Sequence, residues 1–105
     1  MANAIAAKAS DLAMVDIIKI GGVTGWISAA GQAEAASLPL SSHTFIEASA
    51  HTMASAPTAS WFEYLDLAGH VLTEPLVPNK GKVVPRGPGL SLEWDAKAVH
   101  KYAFE

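Results

Sequence analysis

The sequence predicts an α/β fold built on a parallel sheet, and three observations predict it. The β-branched run MVDIIKI, Met14 to Ile20, suits a strand buried on both faces. Strand-like and helix-like stretches alternate at about thirty residues or fewer, the rhythm of βα units. Three residues able to do chemistry, Asp16, His43 and Glu63, fall on or at the ends of successive strand-like stretches. In a parallel sheet with helical crossovers those ends share one face, where α/β proteins keep their ligands.

Each element follows from local composition. Ala2 to Ala9 is alanine-rich and reads as a short helix ending near Ser10, with Ile5 and Leu12 seven apart on one side. Met14 to Ile20 is the first strand, and Gly21-Gly22-Val23-Thr24-Gly25 is the turn after it. Trp26 to Ser37 carries Trp26, Ile27, Ala30 and Ala33 at helical spacing. Pro39 to Ser42 is too short and too soon broken for a helix, so it reads as a strand that delivers His43 to a strand-to-helix turn. An amphipathic helix over Thr44 to Ser55 follows, closed by Ala56-Pro57, because proline disfavours helical geometry in the residue before it. Ser60 to Tyr64, containing Trp61-Phe62-Glu63, is the next strand, which sets Glu63 beside His43.

After residue 70 the pattern changes. Val71 to Leu76, Gly81 to Val84 and Leu90 to Trp94 are short strand-like runs between prolines and glycines. Asp95 is positioned to cap a last helix, Ala96 to Tyr102, with Val99 on one face and Lys97 and Lys101 on another. The reading is therefore a βα segment over 1–70 and an extended tail over 71–105, which wraps a neighbouring surface rather than forming a second core.

Composition narrows the partners. The chain has 105 residues, half of them apolar, and no apolar run of about eighteen residues that would span a membrane. Seven Lys and Arg against ten Asp and Glu leave a net charge of −3, with no basic stripe for nucleic acid or an anionic membrane surface. Small molecules and proteins remain as partners. Without cysteine there is no disulfide, no thiolate nucleophile and no thiolate-bound metal. The start, Met1-Ala2-Asn3-Ala4-Ile5, lacks the pattern of a secretory signal, so a cytoplasmic location is expected. The chain also opens on a helix with no strand to pack against, as if something upstream were missing.

Asp16, His43 and Glu63 form the strongest chemical set. A carboxylate beside an imidazole fixes its tautomer and favours its charged form, which makes a general acid or base near neutral pH. A second carboxylic acid, kept protonated, donates a hydrogen bond to a developing oxyanion. The competing reading pairs Asp16 with Lys19 as a structural ion pair and leaves Glu63 facing solvent. Two weaker patterns stand beside it. His43, Glu47 and His51 recur every four residues, a metal-ligand spacing on one continuous helix, but the strand-like approach puts His43 before the helix, and a solvated face explains the spacing. The glycine turn could offer N–H groups to an anion, but it lacks the P-loop Lys-Ser/Thr and the full dinucleotide spacing, so tight-turn geometry explains it better. His70 and His100 read as surface residues.

At these residues the sequence resembles the C-terminal part of mandelate racemase and its relatives in the mandelate racemase/muconate lactonizing family of the enolase superfamily. The segments KIGGVTGWI (Lys19 to Ile27), SSHTFIEASAH (Ser41 to His51), APTASWFEYLDLAG (Ala56 to Gly69) and the tail from Pro85 through Tyr102 carry the resemblance. It implies that Met14 to Ile20, Leu38 to Ser42 and Ser60 to Glu63 correspond to strands six to eight of a (β/α)8 TIM barrel. It implies His43 as general base, Asp16 as its dyad partner, and Glu63 as the acid that hydrogen-bonds the substrate carboxylate. The activity implied is an isomerase (racemase) or lyase (acid-sugar dehydratase), magnesium-dependent in the full-length family.

A whole barrel needs about 250 residues, so this chain is well short of one. The resemblance places the capping domain, the strand with a Lys-x-Lys base and the magnesium-binding strands outside it, and no cofactor or metal ligand is assigned to this chain alone. The expected function is a fragment of a proton-abstracting enzyme, inactive by itself. The alternative is a non-catalytic truncated barrel domain or an oligomerising module. Either way the open sheet implies a partner, a second copy or a complementary chain carrying the rest of the barrel.

Overall fold

The apolar run that begins at Met14 is interrupted as a strand by its own aspartate. Asp16 Oδ1 accepts the backbone N–H groups of Ile18 at 2.8 Å and Lys19 at 3.0 Å, an Asx-type turn that bends the chain out of the sheet. In the computed structural model, which describes residues 1–104, the first strand is therefore β1, Ala13–Asp16, and Ile17 to Ile20 form the turn instead of continuing it. Glu105, the last residue of the expected tail, lies outside the described residues.

The first helix, α1, spans Ala2–Ala6, shorter than expected. Lys8 at φ 48° ends it, with Ala9 N–H donating to Ala4 O and Lys8 N–H to Ile5 O, so Leu12 falls outside the helix. The second, α2, spans Gly22–Ala35 and starts inside the glycine stretch. Gly21 at φ 92° makes the entry, and Val23 to Gly25 are already helical. Gly25 is required for packing: a Cβ there would collide with the Ile20 carbonyl. The buried stripe of α2 is Trp26, Ala29, Ala30 and Ala33, the i, i+3, i+4, i+7 face, while Ile27 turns outward. Trp26 is fully buried and anchors the cluster formed with Val15, Ile17 and Leu40.

Strand β2, Leu40–His43, pairs parallel with β1 in a register that sets Asp16 opposite His43. Helix α3 spans Ile46–Ala54 and packs Ile46, Ala50 and Met53 inward. The third expected strand, Ser60 to Tyr64, is not a regular one. Leu40 N–H donates to Thr58 O and Ser60 N–H to Leu40 O, a single parallel bridge, after which Ser42 N–H donates to Trp61 O, a slip of one residue. The slip is filled by side chains: Ser41 Oγ accepts from Trp61 N–H at 3.1 Å and Ser42 Oγ from Glu63 N–H at 3.0 Å. The sheet is thus two parallel strands with an irregular extended segment along β2.

In the tail a short 3-10 turn over Gly69–Val71 and helix α4, Ala96–Tyr102, meet at the Leu72–Trp94 bridge. The other strand-like runs make no ladder beyond an Asn79–Lys82 turn bridge. Asp95 caps α4 as its position predicts, accepting from Lys97 and Ala98 N–H at 2.9 and 3.1 Å. Tyr64 Oη–H donating to Leu76 O, and His51 against Ser91 at 3.2 Å, tie the tail to the sheet and to α3. Among the described residues no helix is long and apolar enough to cross a membrane.

Candidate active site

The register that pairs Asp16 with His43 puts both side chains at the C-terminal end of their strands. Asp16 Oδ2 lies 2.9 Å from His43 Nδ1. The carboxyl is 9 % exposed and is held below its ordinary pKa. Burial acts against ionisation and is the largest single influence, but the Lys19 N–H, the His43 ring, the Ile18 N–H and the Lys19 charge together outweigh it. An ionised carboxylate only accepts, so Nδ1 carries the proton and donates it to Asp16. Nε2 is then the basic nitrogen of a ring that is 36 % exposed. Lys19 Nζ stands 3.6 Å from the same Oδ2, so the ion pair and the imidazole contact coexist on one carboxylate.

Glu63 reaches the site through the chain after His43. Its Oε2 accepts the Thr44 N–H at 2.7 Å, so the side chain does not simply face solvent. Thr44 and Phe45 sit at φ 47° and 45°, left-handed geometry that costs non-glycine residues about 1–2 kcal/mol each. That strained turn lifts His43 off the helix: α3 begins at Ile46, and only Glu47 and His51 share its face. The metal spacing His43, Glu47, His51 is thereby broken. The anion reading of the glycine stretch also loses two donors, because Gly21 and Gly22 N–H groups donate to Ile18 O and Ile17 O. His70 and His100 are exposed, His70 edge-on to Tyr102.

Ser41, Ser42 and Thr44 are the positioning residues that patterning did not single out. A serine pair just before a chemistry-bearing strand end was the available signal. The positive φ of Thr44 had none, since a β-branched residue argues against it. A separate cavity between α3 and the tail, lined by Glu47, His51, Glu74 and Arg86 among others, does not include His43.

An imidazole backed by a buried carboxylate thus stands at the C-terminal ends of two paired parallel strands, the end of a βα sheet where α/β proteins keep their ligands. Residues 1–98 match the family described as enolase C-terminal domain-like, and the chain belongs to that family. It is a partial (β/α) barrel segment. It is 36 % identical over 102 residues to muconate cycloisomerase 1-2 of Acinetobacter lwoffii, covering 85 % of this chain and 26 % of that protein. Among solved structures it matches an enolase from Bradyrhizobium complexed with magnesium and mandelic acid, at 57 % identity and a TM-score of 0.93, over 96 % of this chain and 28 % of that one. It also matches L-talarate dehydratase from Polaromonas, complexed with magnesium and L-glucarate, at 28 % identity and a TM-score of 0.85, over 94 % of this chain and 28 % of that one. The chain spans about a quarter of the length of the curated relative it matches.

Magnesium, bound in those solved relatives, has no fitting site on these residues. Among the described residues no group of three His, Asp or Glu side chains is arranged to hold a metal ion. Asp16 spends both oxygens on N–H donors, and Glu63 spends Oε2 on Thr44. A hard divalent ion wants several oxygens free at once.

Proposed function

We propose that this chain is the acid–base portion of a mandelate racemase-like, magnesium-dependent enzyme that removes the α-proton of a carboxylate substrate. The observation that carries the reading is the 2.9 Å contact between Asp16 and His43 at paired strand ends. His43 Nε2 takes the α-proton as the C–H bond breaks, and the electron pair passes into an enediolate-like intermediate. Asp16 stabilises the imidazolium so formed and keeps the ring in one tautomer. Glu63, once protonated on the oxygen that Thr44 does not use, hydrogen-bonds a substrate carboxylate oxygen where negative charge develops. The mandelic acid bound to the Bradyrhizobium relative supports a 2-hydroxy acid substrate, racemised when His43 keeps the abstracted proton and an acid from the rest of the barrel delivers one to the opposite face. The L-glucarate bound to the Polaromonas dehydratase supports the second outcome, in which the intermediate expels a β-hydroxyl of an acid sugar as water with the proton that His43 took.

Under this reading the magnesium ligands lie outside these residues, and the chain alone is inactive. A second copy, or a complementary chain carrying the remaining barrel strands, covers the free edge of β1 in a cytoplasmic assembly. Half-exposed Met14 on that edge, and Trp61 at 76 % exposure along the irregular segment, support a covering partner. The test is exchange of the mandelate α-proton for deuterium in D2O. The purified chain alone with magnesium is expected to give none. The chain supplied with the N-terminal remainder of the Bradyrhizobium relative is expected to exchange both enantiomers, and His43→Asn in that assembly to abolish exchange from the one whose α-proton faces His43. Exchange undiminished by His43→Asn with each enantiomer tested separately would refute the role of His43.

A further inference from the structure

The residues on either side of His43 are both tied to Glu63, and by bonds that run in opposite senses. Before His43, the side chain of Ser42 holds the backbone of Glu63, Oγ accepting its N–H at 3.0 Å. After His43, the side chain of Glu63 holds the backbone of Thr44, Oε2 accepting its N–H at 2.7 Å. Ser42 is fully buried, so its hydroxyl has no solvent to turn to.

Thr44 needs such a hold. A β-branched residue at φ 47° persists only where its surroundings over-determine it, and here the next residue is left-handed too. Its N–H is fixed by Glu63, its carbonyl accepts the Ser49 hydroxyl at 2.7 Å, and its own hydroxyl lies 3.3 Å from His43 Nδ1. The turn therefore carries the ring it follows: if Thr44 relaxes to an ordinary backbone conformation, the chain leaving His43 changes direction and Nδ1 loses its line to Asp16.

We infer that Ser42 and Glu63 form a reciprocal clamp that aims His43 at Asp16, so that Glu63 is a positioning residue for the base before any substrate arrives. The clamp gives the proton-abstraction reading above a second use for Glu63 and rests on that reading only for its catalytic consequence. It also explains why the third segment departs from a regular ladder. The slip of one residue at Ser42 and Trp61 brings Glu63 N–H to a hydroxyl instead of a carbonyl.

The experiment uses the chain as it exists, without substrate, and compares Glu63→Gln with Glu63→Ala. Glutamine keeps an oxygen for the Thr44 N–H and alanine does not. Two signals are read by NMR: hydrogen-exchange protection of the Thr44 amide, and the separation of the two His43 ring nitrogen resonances, which is large for one fixed tautomer. The clamp predicts that Glu63→Ala loses both while Glu63→Gln keeps both. Ser42→Ala is expected to lower Thr44 protection in the same direction, and it carries the test should Glu63→Ala not fold. Ring resonances unchanged in Glu63→Ala would overturn the inference. So would equal losses in both Glu63 variants, which would assign the effect to charge and not to the hydrogen bond. Deuterium exchange into mandelate reads the catalytic role of His43 separately, so either claim can fail alone.

Discussion

Replacing Asp16 by Asn removes the charge of the dyad and leaves its shape. The carboxylate accepts the Ile18 and Lys19 N–H groups at 2.8 and 3.0 Å and the His43 ring at 2.9 Å. Asparagine keeps its Oδ1 for the two backbone donors, each weakened by about 0.5–1 kcal/mol once the acceptor is neutral. Its amide turns a donor toward Nδ1, so the ring is expected to switch tautomer and exchange a charge-assisted bond for a neutral one, a loss of about 1 kcal/mol. The Lys19 pair adds little, about 0–1 kcal/mol, because the lysine is 77 % exposed. Relief from burying a charge offsets part of the total, and the net loss is about 1–2 kcal/mol. Urea unfolding as a function of pH measures it. The folded-state pKa of Asp16 lies below its unfolded value, so the contribution is full above the unfolded value and disappears as pH falls through the folded one. The stability gap between the original chain and Asp16→Asn is expected to be widest at neutral pH and to close in acid. A gap that is absent at neutral pH, or that widens in acid, would refute the assignment of a buried, ionised Asp16.

Three further outcomes follow from packing and capping. Trp26→Ala empties the centre of the core and is expected to cost about 3–5 kcal/mol, enough to lose cooperative unfolding in a chain of this size, as judged by calorimetry. Gly25→Ala drives a methyl into the Ile20 carbonyl and is expected to destabilise by about 1–3 kcal/mol, whereas Gly31→Ala, in open space on the same helix, is expected to stabilise by about 0.5–1 kcal/mol; melting temperatures of opposite sign check the pair. Asp95→Ala removes both N-cap bonds of α4 and is expected to cost about 1 kcal/mol locally, visible as faster amide exchange at Lys97 and Ala98.

The sequence made some of this legible and hid the rest for identifiable reasons. Alternation of βα stretches located β1, α2, β2 and α3, because burial on a parallel sheet demands apolar runs at that rhythm. The convergence of Asp16 and His43 followed from strand order alone. The length of β1 did not, because hydropathy is blind to a side chain that captures the next backbone N–H groups, as Asp16 does. The third strand departs from its composition for a related reason: Trp61-Phe62-Glu63 has strand composition, but the Ser41 and Ser42 hydroxyls take N–H groups that a regular ladder would give to carbonyls. Glu63 was placed near His43 by order, while its bond to the Thr44 N–H depends on a left-handed Thr-Phe step that no propensity favours.

Asp16 holds His43 with Nδ1 protonated and Nε2 free to accept a proton. A long-range proton–nitrogen correlation spectrum of the His43 ring at neutral pH tests it without substrate or partner. One fixed tautomer is expected, Nδ1 protonated and Nε2 not, with reversal in Asp16→Asn. A ring protonated on Nε2 in the original chain, or two nitrogens averaging between tautomers, would contradict it.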